Sequence, residues 1–279
     1  MEELLWRCGP YVLDCTERTR VMGVLNVTPD SFSDGGRFFD PEAAVAQGVE
    51  MAAEGADLID VGGESTRPGS EAVPEHEERR RVIPVIKRLV AEVDMPISID
   101  TRKPEVAAAA LEVGATIVND VTAGGDPRTF EVAREAGAGL VLMHMRGEPA
   151  TMQQLTDYED VVADVRDYLA QRVDAAVAAG LDGELLCVDP GLGFAKTEEQ
   201  SLRLIRETDA LLSIGRPVLL GPSRKSFIGW ALDLPVEERL EGTLAAVAFA
   251  VSRGAHIVRV HDVKEAARAV RVTDAILRA

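Results

Sequence analysis

Ile97-Ser98-Ile99-Asp100, a helix opening at Pro104, Ile117-Val118-Asn119-Asp120, and then Leu140-Val141-Leu142-Met143-His144 form the stretch that decides the fold. Each apolar run is only four or five residues long and rich in β-branched side chains. That is strand length, not helix length. Between the runs lie longer amphipathic segments, one from Pro104 and one over 127–135. Strand, helix, strand, helix, strand implies parallel neighbours, because a chain that re-enters a sheet in the same direction needs a crossover.

The same alternation extends both ways. Upstream, Val21–Asn26 reads as a strand and Pro41–Glu54 as a helix with proline in its first turn. Leu58–Val61 then precedes a helix over Glu75–Glu92. Downstream, a helix over Tyr158–Ala179 follows a loop. Leu185–Val188 precedes a helix near Glu198–Asp209, and Pro217–Gly221 precedes helical material, notably Leu240–Arg253. Ile257–Val260 precedes the last helix, Val263–Leu277. Eight β-then-α units over about 250 residues predict a closed (β/α)8 TIM barrel of the α/β class. An open doubly wound sheet is the alternative topology. Residues 1–279 read as a single domain, with 1–20 an N-terminal extension expected to cap the barrel floor.

Composition narrows the function. The chain has 279 residues, 46% of them hydrophobic, and a formal net charge of −17. That charge disfavours nucleic acid as a partner. No apolar run approaches ~18 residues, so no membrane span is expected. The start, Met1-Glu2-Glu3-Leu4-Leu5, lacks the basic and apolar regions of a signal peptide. Cys8, Cys15 and Cys187 have no metal-ligand spacing and suit a reducing compartment. A cytoplasmic location is expected. An anionic substrate would have to be drawn in by a local basic cluster.

The strand ends carry the chemistry. They bring Asn26, Asp60, Asp100, Asn119-Asp120, Met143-His144, Asp189, Ser223-Arg224-Lys225, and Arg259 with His261 to one face. Helix capping explains one polar residue at a strand end, but not carboxylates and arginines around a whole mouth. Arg67, Arg224, Lys225, Arg259 and His261 form a cationic rim suited to a phosphate or carboxylate. Asp100, Asn119 and Asp189 offer acceptors to a flat heterocycle bearing an amino group and a ring N–H. Salt bridges among these groups are the plainer competitor. Arg79, Arg80 and Arg81 read as solvated surface charge. HExxH, P-loop and Gly-x-Ser-x-Gly patterns are absent.

Two loops complete the picture: Leu25-Asn26-Val27-Thr28-Pro29-Asp30-Ser31-Phe32-Ser33-Asp34-Gly35-Gly36, and Gly62-Gly63-Glu64-Ser65-Thr66-Arg67-Pro68-Gly69. Followed in order by Ser98-Ile99-Asp100-Thr101, Asn119-Asp120-Val121, Met143-His144, Asp189-Pro190-Gly191-Leu192-Gly193-Phe194, Ser223-Arg224-Lys225-Ser226 and Arg259-Val260-His261-Asp262, this set resembles the dihydropteroate synthases over about residues 20–265. One departure is visible: Ala195 stands where that family usually has glycine.

The resemblance implies a homodimeric barrel that joins a dihydropterin methyl diphosphate to 4-aminobenzoate, and a target of sulfonamides. It implies pterin contacts from Asp100, Asn119, Met143, Asp189, Phe194 and Lys225. Diphosphate contacts would come from Asn26, Thr66, Arg67, Arg259 and His261. Mg2+ would lie on Asn26. Thr66, Pro68, Phe194, Lys225 and Ser226 would border 4-aminobenzoate. Asp100, Lys225, Arg259 and Asn26 would act in catalysis. A pterin-dependent methyltransferase serving a corrinoid protein is the alternative reading.

Overall fold

A computed structural model describes residues 3–28, 40–65, 70 and 72–279. Among them, strands β3 (Arg20–Asn26), β4 (Leu58–Gly62), β5 (Ile97–Asp100), β6 (Ile117–Asp120), β7 (Gly139–Met143), β8 (Leu186–Asp189), β9 (Leu219–Leu220) and β10 (Ile257–Val260) form one sheet. All its ladders are parallel. A bridge between Val188 and Val218 joins β8 to the start of β9 and closes the barrel. The doubly wound alternative fails on that closure.

The helices are α1 (Pro41–Glu54), α2 (Glu75–Glu92), α3 (Pro104–Glu112), α4 (Arg128–Ala136), α5 (Val161–Ala178), α6 (Glu198–Arg206), α7 (Ser226–Leu232), α8 (Leu240–Ser252) and α9 (Val263–Arg278). Their ends have local causes. The Asp40 side chain accepts from Glu42 N–H, Pro41 opens α1, and Gly55 closes it at φ 108°. Thr197 and Gln200 form a reciprocal capping box on α6. Asp160 caps α5, so that helix starts three residues later than the pattern from Tyr158 predicts. The expected helix to Asp209 ends at Arg206 and gives way to a 3-10 turn over Thr208–Ile214.

The N-terminal segment does cap the floor, and does so as a hairpin that the sequence pattern did not reveal. Antiparallel β1 (Leu5–Cys8) and β2 (Tyr11–Asp14) carry Trp6, fully buried, against Met22, Leu58, Ile117, Val141, Cys187, Leu219 and Ile257. The Trp6 Nε1–H donates to the Leu185 carbonyl at 3.0 Å, so its one polar group is satisfied. The three cysteines are buried there as free thiols.

That apolar layer fixes what lies above it. Side chains alternate along a strand with a period of two. Two residues beyond Leu58 comes Asp60; beyond Ile117, Asn119; beyond Val141, Met143; beyond Cys187, Asp189; beyond Leu219, Gly221; and beyond Ile257, Arg259. The barrel interior thus changes from hydrocarbon to charge in one pleat. The outer faces of the strands join the helices in the main core, through residues such as Leu25, Val61, Ile99 and Val118.

Candidate active site

A cleft open to solvent occupies the C-terminal mouth of the barrel. Asp100, Asn119, Met143, Asp189, Phe194, Lys225 and Arg259 all line it. Register explains the convergence: Asn26 lies beside Gly62, Gly62 beside Asp100, Asp100 beside Asn119, and Met143 beside Asp189. Five of these are strand residues, which makes their positions stiff. Phe194 and Lys225 come from the loops after β8 and β9.

The charged centre is a buried triad with one extra acid. The Arg259 Nε donates to Asp60 Oδ2 at 2.6 Å, and Nη2 donates to Asp100 Oδ2 at 2.7 Å. The Asn119 Nδ2 donates to the same Asp60 oxygen at 2.9 Å. With that amide hydrogen committed, the Asn119 carbonyl oxygen is left as an acceptor. The other carboxylate oxygens, Asp60 Oδ1 and Asp100 Oδ1, are buried without a partner among the described residues. Burial pushes the Asp100 carboxyl up to about 7 against the pull of Arg259, and Asp60 and Glu78 add to the rise. Burial also works against the Arg259 charge, but the Asp60 and Asp100 carboxylates outweigh it and hold the guanidinium protonated. An unsatisfied buried carboxylate oxygen costs ~1–3 kcal/mol or more. Asp100 Oδ1 is therefore poised for a ligand that brings a donor.

Opposite, Asp189 is buried, and its Oδ1 accepts from Gly191 N–H at 2.7 Å. Burial raises its pKa, while the Gly191 bond, Lys225 and Arg259 restrain the rise. Gly191 is obligatory: a Cβ there would lie 2.1 Å from the His144 carbonyl oxygen, at φ 67°. The Lys225 Nζ stands 4.3 Å from the centre of the Phe194 ring, a cation over an aromatic face. A flat ring with donors along one edge would meet acceptors from Asp100, Asn119 and Asp189, with Met143 and Phe194 as apolar walls.

The remaining predicted residues divide. Asn26 ends β3 with Gly62 between it and Asp100 in the register: a Cβ placed on Gly62 would be 3.9 Å from Asn26 Oδ1 and 3.7 Å from Asp100 Oδ2. His261 follows β10, and its Nδ1 is 2.9 Å from Ser223 Oγ. That hydroxyl oxygen accepts from the His261 backbone N–H at 3.2 Å and keeps a proton that it can donate to a neutral ring at Nδ1. A neutral ring so bonded presents an Nε2–H. Burial, Arg259 and Arg224 together push its pKa down to about 3, in agreement. Ser226 is exposed at the first position of α7. Thr66, Arg67 and Pro68 lie outside the described residues, as do residues 29–36 of the first loop.

One expectation is corrected. Arg224 does not add to a cationic rim. It is spent on Asp262, through Nε at 3.0 Å and Nη2 at 2.5 Å. The clamp holds Arg224 at φ 57°, a left-handed conformation uncommon outside glycine. Thr243 and Arg239 brace the same turn through its backbone N–H and carbonyls.

The sequence reading also passed over two features. Asp60 reads in sequence as one more strand-end acid, yet an Asp inside the buried run Leu58–Gly62 signals a buried partner. Lys196, fully buried, donates to the Phe194 carbonyl at 2.8 Å and shares a 2.9 Å contact with His144 Nδ1. Burial drives the Lys196 pKa well down, and burial, Lys196 and Arg146 take His144 to about 3. Ala195, between Phe194 and Lys196, lies at φ 51°, so the missing glycine has a conformational cost.

Comparison with known proteins agrees with this geometry. Residues 22–261 match the family model described as pterin binding enzyme. A dihydropteroate synthase of Synechocystis is 49% identical over 272 residues, covering 97% of this chain and 94% of that one. Two structures of the Xanthomonas albilineans dihydropteroate synthase superpose on the barrel. The one with 4-aminobenzoic acid has a TM-score of 0.93 at 46% identity, with 99% of each chain covered. The one with 7,8-dihydropteroate has a TM-score of 0.89 at 43% identity, again with 99% of each chain covered. On the family model, the identity and the shared barrel together, this chain belongs to the dihydropteroate synthase family of pterin-binding enzymes.

Proposed function

We propose that this chain condenses (7,8-dihydropterin-6-yl)methyl diphosphate with 4-aminobenzoate, releasing diphosphate and 7,8-dihydropteroate. The observation that carries the reading is the unpartnered Asp100 Oδ1 in an acceptor-lined cavity beside a buried guanidinium. A pterin supplies the donors, and a diphosphate on its methylene uses the cation. Relatives that hold 4-aminobenzoic acid and 7,8-dihydropteroate support the same substrate and product. A corrinoid-type methyltransferase would use the acceptor cavity as well, but it has no anionic leaving group to match Arg259 and the His261 Nε2–H.

In this reading Asp100, Asn119 and Asp189 bind the pterin edge, Lys225 its oxygen side, and Met143 and Phe194 its faces. Arg259, His261 and Asn26 meet the diphosphate, joined by Thr66 and Arg67. Phe194, Lys225, Ser226, Thr66 and Pro68 border 4-aminobenzoate. The methylene C–O bond breaks with its electron pair passing to diphosphate. Arg259 and the His261 Nε2–H stabilise that charge where it develops. The aniline nitrogen forms the new C–N bond and loses a proton. Neither step needs a covalent enzyme intermediate.

Mg2+ fits the donor set. Among the described residues no three His, Cys, Asp or Glu side chains converge on a cage. The single amide oxygen of Asn26, at the end of β3, suits an ion that shares most of its shell with phosphate oxygens and water. When bound, the ion would supply further positive charge to the leaving diphosphate.

We also propose a homodimer. Exposed Trp230, Leu232, Phe249, Val272 and Ile276 on α7–α9 offer an apolar face for a second copy. No helix among the described residues is long and apolar enough to cross a membrane. A cytoplasmic location remains part of the proposal. The activity is tested by diphosphate release: it should require 4-aminobenzoate and stop when Mg2+ is chelated. Release independent of 4-aminobenzoate would overturn the reading.

A further inference from the structure

Asp60 is fully buried and does not line the cavity, yet it holds two residues that do. One of its oxygens receives both the Arg259 Nε–H and the Asn119 amide. Arg259 therefore has two counter-ions, and they are not equivalent. Asp100 faces the cavity and has an orphaned oxygen. Asp60 cannot reach a ligand. A buried guanidinium left without a carboxylate is strongly unfavourable, and removing one partner of such a pair exposes that cost. We propose that Asp60 is the resident counter-ion of Arg259, a positioning residue that keeps the guanidinium neutralised and aimed so that Asp100 can turn to the pterin.

The inference rests on the pterin reading above and deepens it. With Asp60 ionised, Asp100 can give up its contact to Nη2 and Arg259 remains paired through Nε. The Nη1 edge, which makes no hydrogen bond among the described residues, stays directed by the Asp60 contact and is available to an anion. With Asp60 neutral, Asp100 becomes the sole counter-ion. The pterin must then compete with a buried cation for the same carboxylate.

The test uses Asp60→Asn, which keeps an oxygen for the Asn119 amide and removes only the charge. The probe is a 2-amino-4-oxopteridine without a diphosphate arm, titrated by fluorescence into the full-length protein. Asp60→Asn should weaken its binding roughly tenfold or more, the weight of a charge-assisted contact. Adding Arg259→Gln to that variant should restore binding, because no guanidinium then holds Asp100. A merely structural loss would not be rescued by a second substitution.

Unchanged pterin binding in folded Asp60→Asn, or a double variant as weak as the single, would overturn the proposal. Should Asp60→Asn fail to fold, Arg259→Gln and the double variant carry the test. They should then bind the probe within about threefold of each other, since charges without a shared partner act independently. A wider deficit in the double variant would again overturn it. Wild-type protein that binds no pterin would sink the functional reading instead, and this inference with it.

Discussion

Substituting alanine for Gly191 should damage the protein far more than the same change at Gly193, although both lie at positive φ in one turn. At Gly191, φ is 67° and the new Cβ would stand 2.1 Å from the His144 carbonyl oxygen. That carbonyl cannot retreat easily. The His144 peptide is fixed by its N–H to the Asp189 carbonyl at 2.9 Å, and the Lys196 Nζ donates to the oxygen itself at 3.4 Å. At Gly193, φ is 78° and the nearest atom, Lys225 Cδ, is an ordinary 3.7 Å away. The left-handed backbone costs an L-residue ~1–2 kcal/mol at either position. Overpacking adds ~1–3 kcal/mol at Gly191 alone. Entropy removed from the unfolded chain is common to both changes and cancels in the comparison. Urea unfolding should place Gly191→Ala ~2–5 kcal/mol below wild type and ~1–3 kcal/mol below Gly193→Ala. The overlap is relieved by moving the turn outward, which breaks the Gly191 N–H bond to Asp189. Pterin affinity should therefore fall with it. Equal destabilisation by the two substitutions, or a Gly191→Ala protein within about 1 kcal/mol of wild type, would refute the reasoning.

Further expectations follow from the same geometry. Trp6→Ala empties the barrel floor and should cost ~3–5 kcal/mol in unfolding free energy, with pterin affinity of the folded protein kept; a strong affinity loss would contradict the separation of floor and mouth. The His261 ring should be the Nε2–H tautomer by 15N NMR, shifting to a mixture in Ser223→Ala; a protonated Nδ1 in the wild type would be contrary. His144 has a folded pKa of about 3 and an ordinary unfolded value of 6.5. Its stabilising contribution is therefore present above about pH 6.5 and is lost as pH falls towards 3. His144→Gln should flatten the dependence of unfolding free energy on pH in that window by ~1.4 kcal/mol per unit, and parallel curves would refute it.

The sequence made the barrel legible because strand-length apolar runs recur with helix-length spacers, and because polar residues fall where each run stops. The helix ends were less legible. The Asp160 cap and the 3-10 turn after Arg206 are set by local hydrogen bonds within a few residues, which apolar periodicity does not carry. The hairpin of residues 5–14 escaped because its strands are four residues each and owe their order to the barrel floor. At the site, the types and order of residues pointed to acids for a heterocycle and cations for an anion. Their pairing was not visible. Arg224 and Arg259 look alike in sequence, yet one is clamped by Asp262 outside the cavity lining and the other bridges two acids inside it. Distance, not composition, separates them.

The division of labour at the mouth is tested most directly by product formation with and without Arg259. Purified protein is mixed with (7,8-dihydropterin-6-yl)methyl diphosphate, 4-aminobenzoate and Mg2+, and 7,8-dihydropteroate is followed by mass. The wild type should form product only when all three are present. Arg259→Gln should lose turnover by roughly a hundredfold or more, the weight of a charged donor at a developing anion, while its affinity for an unphosphorylated pterin falls much less. Folded wild-type protein that binds pterin but forms no dihydropteroate, or equal losses of turnover and pterin affinity in Arg259→Gln, would contradict the account.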